Sequence, residues 1–295
     1  MTAPLIVLGS ANRDLVVLVS RHPLPGETLL ATGTTTGVGG KGANQALAAA
    51  RAGATPSFVG AVGADAEGDE LVQALADGGV DVTHVRRSML PTGLALITVS
   101  DAGENTIVVA QGANASLEPE QVAGDVAATG QGPVLLAQLE VPLDAVEAAA
   151  RTAGRSGGRF VLNLSPAREV PDSLLEICDP LVVNESEAAL VAGRDAASVE
   201  SVDDALELAQ ALAGRCRSIV ITLGGDGAVF GDQSGVTHVP AEKVKVIDTT
   251  GAGDAFVGTL AARLARGEEL ADAVEAGLAA GTAAVQHLGA QPPRA

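Results

Sequence analysis

Asp248-Thr249-Thr250-Gly251-Ala252-Gly253-Asp254-Ala255-Phe256 decides how this chain is read. It follows a β-branched run, Val244-Lys245-Val246-Ile247, and opens an apolar-periodic segment at Phe256, Val257, Leu260 and Leu264. That succession predicts a strand, a glycine turn and the first turn of a helix. Gly251, Ala252 and Gly253 have almost no side chain, so their N–H groups can come close to a ligand. With the positive end of the helix dipole behind them, these donors form an anion site. Asp254 stands inside it. Phosphoryl transfer explains a carboxylate there: the amides stabilise charge on the moving group while the carboxylate takes the proton of the attacking hydroxyl. For Gly-x-Gly-Asp in isolation, a helix N-cap after a glycine turn remains an alternative.

A second glycine segment, Gly39-Gly40-Lys41-Gly42-Ala43-Asn44-Gln45-Ala46, precedes a small-residue helix ending near Gly53. Gly37-Val38-Gly39-Gly40-Lys41-Gly42 satisfies Gly-x-Gly-x-x-Gly, but a dinucleotide fold needs that motif in the first strand-to-helix turn, with an acid about 20 residues on. Here the first turn is Gly9-Ser10-Ala11-Asn12, and near position 62 an acid comes only at Asp65. A Walker A loop fails too, with Thr35 in place of its first glycine and Gly42 where Ser or Thr would hold Mg²⁺. Sugar binding fits better. Glycines let amides reach hydroxyls, Lys41 donates, and Asn44 both donates and accepts. A solvated surface lysine is the alternative for Lys41, although this chain has lysine only at positions 41, 243 and 245.

At 295 residues, with 47% hydrophobic residues and 36 glycines, the chain suits one large α/β domain with a small appendage. Its 18 basic against 36 acidic residues (net −18) argue against nucleic acid, as do the absence of Trp and Tyr and the presence of only four Phe. The scattered acids read as a solvated surface. Cys178 and Cys216 lie in no metal or redox spacing and read as reduced core thiols. His22, His84, His238 and His287 fall in no hydrolase or zinc pattern. The N-terminus lacks a basic leader, and no apolar run reaches the ~20 residues of a membrane span, so a soluble cytoplasmic protein is expected.

Short apolar runs at 5–8, 57–62, 134–137, 160–164, 181–183 and 218–223 alternate with helical patterns at 41–52, 68–76, 143–155, 186–191, 202–212, 255–266 and 271–285. That alternation predicts a layered α/β fold: a mostly parallel central sheet flanked by crossover helices, with ligands beyond the carboxyl ends of the strands. Two regions, 14–36 and 92–111, carry strand-like runs at 15–19, 94–99 and 106–110 and no convincing helix. These hairpin-like insertions predict a small sheet acting as a lid on a single α/β domain spanning 1–295. Apolar residues on both its faces would need covering, which makes dimerisation reasonable.

Gly-Gly-x-Gly-x-Asn-x-Ala and Asp-Thr-Thr-Gly-Ala-Gly-Asp together resemble the two signatures of the PfkB carbohydrate kinases, the ribokinase-like family. The likeness extends through Gly9–Asp14, Gln138–Glu140, Asn184–Glu187, Thr222–Gly227 and Gly289–Pro292, in the family's order. It implies a ribokinase-like three-layer fold and ATP-dependent phosphorylation of the primary hydroxyl of a pentose, D-ribose first and deoxyribose second. It assigns Asn12, Asp14, Gly40, Lys41, Asn44 and Glu140 to the sugar, Asp254 to base catalysis and Gly251–Gly253 to the developing charge. It also implies lids that clasp into a homodimer, with the closed lid keeping water from ATP.

The remaining motifs carry two readings each. Asn184 and Glu187 share a face at a helix start and could hold a hydrated Mg²⁺, yet they are also nearly a capping box. Thr222, Gly224, Gly225 and Gly227 follow a buried strand; the resemblance puts ATP there, and the alternative is an ordinary hairpin turn. Asp248, Thr250, Ala284, His287 and Gly289 match positions that carry K⁺ in such kinases, mostly through carbonyls. The chain departs from that pattern at Pro293, where a serine is usual. Asp254 is expected to stay ionised, because its reference pKa is about 3.9 and the site is positive. Rival functions are a kinase of a sugar phosphate, with Arg13 as its one candidate cation, a nucleoside kinase, and an idle sugar-binding regulator on the same fold. No Phe falls in a lid segment to stack on a nucleobase.

Overall fold

Leu5-Ile6-Val7-Leu8 forms β1, wholly buried at the middle of the large sheet. Its alternate residues feed two cores: Leu5 and Val7 enter one, Ile6 and Leu8 the other. A continuous apolar run is what a strand covered on both faces requires. The computed structural model describes residues 2–195, 199–287 and 289–290.

In chain order the strands are β1, β2 (Asn12–Val19), β3 (Gly33–Gly39), β4 (Ser57–Gly63), β5 (Val85–Ser88), β6 (Gly93–Ser100), β7 (Asn105–Ala110), β8 (Val134–Ala137), β9 (Arg159–Asn163), β10 (Cys178–Asn184), β11 (Ile219–Thr222), β12 (Ala228–Asp232) and β13 (Gly235–Val239). The helices are α1 (Lys41–Arg51), α2 (Ala66–Asp77), α3 (Pro119–Ala128), α4 (Leu143–Arg155), α5 (Asp172–Leu175), α6 (Glu185–Val191), α7 (Val202–Leu212), α8 (Ala252–Ala265) and α9 (Leu270–Ala284). Among the described residues the large sheet runs β13-β12-β11-β10-β9-β8-β1-β4-β5. Pairing is parallel from β11 to β5, and antiparallel where β12 and β13 close one edge. Helices α1 and α8 cover the Leu5/Val7 side, and α4 and α7 the Ile6/Leu8 side. Full burial of a Leu or Val contributes about 1.5–3 kcal/mol, so these two layers carry most of the stability.

The two insertions form a separate four-stranded sheet, β3-β2-β6-β7. Each is an antiparallel hairpin, and β2 joins β6 in parallel along residues 12–19 and 93–100. Strand β7 is exposed along its whole length, with Ile107 at 53% and Val108 at 66%.

Val244–Ile247 departs from its expected strand. The segment lies outside both sheets, with Val246 and Ile247 more than half exposed. Strands β12 and β13 form that edge of the large sheet, and Val244–Ile247 pairs with neither. It is tied instead to the end of α9, where Ile247 N–H donates to the Val285 carbonyl at 2.8 Å. No helix among the described residues is long and apolar enough to cross a membrane.

Candidate active site

Helix α8 begins at the glycine turn, with Gly251 as N-cap in the left-handed region, φ 76°. Asp254 is therefore on the first turn, aimed at the N-terminus of α1. Its Oδ1 accepts from Gln45 Nε2 at 2.9 Å and its Oδ2 from Asn44 Nδ2 at 3.2 Å. The two helices meet this closely because α8 carries Gly258 where it crosses α1: a Cβ there would lie 2.3 Å from the Gln45 carbonyl oxygen. The signature glycines and the helix crossing thus serve one purpose, bringing residues 44 and 254 together.

Around this pair stand the residues expected at the sugar. Asn12 is buried and Asp14 partly buried, on alternate positions of β2. Gly40, at φ 89°, lets the chain pass Ser10; a Cβ would sit 2.9 Å from the Ser10 carbonyl oxygen. Lys41 starts α1, and its backbone N–H donates to Glu140 Oε2 at 3.1 Å. Ser10 Oγ makes a short hydrogen bond to the same oxygen. Asp14, Glu140 and Asp254 lie near enough for their charges to act on one another. Burial, then the charges of Glu140 and Asp254, push the Asp14 carboxyl from 3.8 up to about 6.

Burial opposes the positive surroundings expected to keep Asp254 ionised. Burial pushes its carboxyl up, against the downward pull of Lys41, Gln45 and Asn44, and Glu140 adds a further upward push. The amide cradle differs too, since Ala252 N–H donates to the Thr249 carbonyl at 3.2 Å.

On the far side of Asp254 lie two adjoining cavities. One, of 260 Å³, is lined by Lys41, Asn184, Glu187, Thr222, Gly253 and Asp254. The other, of 340 Å³ and mostly apolar, involves Thr222, Gly224, Gly225, Gly227, Val244 and Phe256. Thr222, Thr249 and Gly253 belong to both. A separate hollow of 380 Å³ near α4 and α5 contains none of the expected residues.

Asn184 and Glu187 do form a capping box: Glu187 N–H donates to Asn184 Oδ1 at 2.8 Å and Asn184 N–H to Glu187 Oε2 at 2.9 Å. Burial pushes the Glu187 carboxyl up, against hydrogen bonds from Asn184 and Ser165. Asp248 Oδ1 accepts from Thr250 N–H at 2.9 Å and Oγ at 2.7 Å, and Oδ2 from Gly289 N–H at 2.8 Å. Burial alone would raise its carboxyl, but these bonds bring it below its ordinary value. The Ala284 carbonyl accepts from His287 N–H at 3.2 Å, and the His287 side chain is exposed. Pro292 and Pro293 lie outside the described residues.

Arg13 points to the opposite face of β2 from Asn12 and Asp14, as strand alternation requires, and binds Glu70 of α2 at 2.6 Å and Thr36 at 3.0 Å. Four participants carry no role in the sequence reading. Gln45, Gln138 and Asn163 form a buried amide chain behind Asp254, and Asn114 bonds Asn12. Gln45 and Gln138 stood inside motifs, but no spacing pointed to their meeting.

The model of the pfkB family carbohydrate kinases matches residues 3–295. A ribokinase of Staphylococcus aureus is 37% identical over 294 residues, covering 99% of this chain and 96% of that protein. One from Haemophilus influenzae is 39% identical over 293 residues, covering 99% and 95%. The solved Arabidopsis thaliana ribokinase with ribose and ATP has a TM-score of 0.86 at 30% identity, covering 98% of this chain and 95% of that one. With its paired glycine signatures meeting at Asp254 and a family match along nearly its whole length, the chain belongs to the pfkB family of carbohydrate kinases.

Proposed function

We propose that this protein transfers the γ-phosphoryl group of ATP to the primary hydroxyl of D-ribose, giving ribose 5-phosphate and ADP. One observation carries the reading: Asp254 bonds Asn44, its charge acts on Asp14 beside Glu140, and it lines the cavity that ends on Thr222 and Gly253. Asp254 takes the hydroxyl proton as the substrate oxygen attacks phosphorus and the bond to the β-phosphate oxygen breaks. Amides at Gly251 and Gly253 meet the charge that builds on the phosphoryl oxygens. The apolar cavity beside Val244 and Phe256 suits an adenine, with the Gly224–Gly227 turn against its ribose and phosphates.

Arg13 is engaged with Glu70, which disfavours a sugar phosphate, and no Phe lies in the small sheet to stack on the base of a nucleoside substrate. Glu187, a buried carboxylate facing the cavity with Asp254, suits a water-bound Mg²⁺ together with Asn184. Mg²⁺ would neutralise charge on the ATP phosphates. Carbonyls of Asp248, Thr250, Ala284, His287 and Gly289 would hold K⁺, in a loop that the Asp248 carboxylate already ties to Gly289. The small sheet would serve as lid, and its exposed Leu96, Ile107 and Val108 suit a second copy, making a homodimer. Buried thiols at Cys178 and Cys216 and the use of ATP fit the cytoplasm.

The test is ATP turnover against a panel of free pentoses, deoxyribose, fructose phosphate and nucleosides, with K⁺ and Na⁺ compared. Ribose is expected to lead, with Asp254→Asn losing turnover while still binding sugar. Near-parental turnover in that variant would refute the base assignment.

A further inference from the structure

Asp254 accepts a hydrogen bond on each oxygen, from consecutive residues of α1. Which way the Gln45 carboxamide faces follows from its surroundings. Asp254 is an acceptor, so the amino end of Gln45 must face it, at 2.9 Å. The second hydrogen of that amino group goes to Asn163 Oδ1 at 3.0 Å, and Asn163 is itself fixed by Nδ2 donating to the Val182 carbonyl at 3.3 Å. The Gln45 carbonyl end then faces Gln138, whose Nε2 donates to it at 2.5 Å. Gln45 and Gln138 are both fully buried.

We propose that Gln45, oriented by Gln138 and Asn163, is the positioning residue of the catalytic base, clamping the Asp254 carboxylate so that its free lone pairs face the sugar hydroxyl. The inference rests on the reading of Asp254 as base. Neutral amide donors suit the task because they stabilise a carboxylate without being able to take the substrate proton themselves. They also oppose the burial that favours the protonated acid. The charged groups around Asp254 are Lys41 on α1, Glu140 after β8, Asp14 on β2 and Glu187 on α6, across the cavity. Lys41 is the one cation among them. Loss of an amide donor therefore tips the balance toward the protonated, inactive acid.

The experiment uses Gln45→Met and Gln138→Met, which keep side-chain length and leave no large void. For both, kcat and the sugar KM are measured from pH 5.5 to 9 alongside thermal melts, with Asp254→Asn in parallel. Gln45→Met is expected to lower kcat at pH 7 roughly tenfold to a hundredfold, as for a lost hydrogen bond to a charged group. The acid limb of its kcat profile should move up by about one pH, with KM within about threefold. Gln138→Met, which does not touch Asp254, should shift the limb in the same direction by less. A fall in kcat with the limb unmoved, or a change in KM alone, reduces Gln45 to packing and overturns the proposal. If Asp254→Asn is inactive while the limb stays put, only the positioning role fails. If Asp254→Asn keeps near-parental turnover, the base reading fails first and takes the inference with it.

Discussion

Asn114 Nδ2 donates to Asn12 Oδ1 over 2.7 Å, joining residues 102 positions apart. From the short turn Gly112–Ser116, Asn114 also accepts from Ala11 N–H at 3.0 Å and donates to the Ala11 carbonyl at 3.2 Å. It thereby acts as a strand neighbour where the chain crosses from one sheet to the other, and it fixes which end of the Asn12 amide is the carbonyl. Asn114→Ala strips buried partners from Ala11 and Asn12, at about 1–3 kcal/mol for each unpaired group. The expected outcome is a lower melting temperature and a sugar KM raised about tenfold, with kcat changed less. Steady-state kinetics beside a thermal melt check it; an unchanged KM would mean that Asn12 needs no such support.

Asp14 links the site to pH. Its carboxyl is raised from 3.8 to about 6, so between those values the folded protein binds more protons than the unfolded chain. Stability of the ligand-free enzyme from this group therefore falls as pH rises through that window, and stays lower above it. Asp14→Asn should flatten that slope and raise the melting temperature at pH 7. Sugar binding runs the other way: a hydroxyl donating to Asp14 needs the carboxylate, so affinity should weaken below about pH 6. Melts from pH 4 to 8 and calorimetry at pH 5 and 7.5 test both signs.

The fold was legible where one element both buries a full face and is bounded by turn residues. Leu5–Leu8, Val134–Ala137, Leu143–Arg155 and Val202–Leu212 have the bounds that their periodicity predicts. Strands β3 and β5 were not legible, being edge strands built from Gly and Thr or from paired arginines, with no apolar alternation to read. Val244–Ile247 misled for the opposite reason. Val244 and Val246 line a cavity while Val246 and Ile247 stay more than half exposed, so a β-branched run by itself reports neither burial nor the presence of a strand partner. In the site, Asp254 and Asn44 stood out because glycines bracket them. Gln45, Gln138 and Asn163 did not, since a buried amide chain exists only once three distant segments have met.

Arg13 tests whether alternation on β2 correctly separates site from surface. Asn12 and Asp14 share one face of β2, whereas the Arg13 guanidinium is held by Glu70 and Thr36. Arg13→Ala should leave ribose turnover and KM within about twofold and cost at most ~1 kcal/mol, as partly exposed ion pairs do. A large rise in sugar KM would show that the residue swings inward when ligand binds, and would reopen the sugar-phosphate reading.

Two glycines of α8 should respond oppositely to a single methyl group. At Gly258 an added Cβ would lie 2.3 Å from the Gln45 carbonyl oxygen and 2.7 Å from Ala48 Cβ, so Gly258→Ala must push α1 from α8. Overpacking of this kind costs about 1–3 kcal/mol, and it also stretches the bonds from Asn44 and Gln45 to Asp254. At Gly253 nothing lies within 4 Å of the added Cβ, and the residue is in the first turn of the helix. Gly253→Ala should therefore stabilise the protein by about 0.5–1 kcal/mol through the unfolded chain. That same methyl enters both cavities at the point where the phosphoryl group would pass, so turnover should fall at least tenfold as stability rises. Paired melts and kcat measurements decide the matter. If Gly253→Ala keeps parental kcat and KM for ATP, the phosphates do not run past this turn.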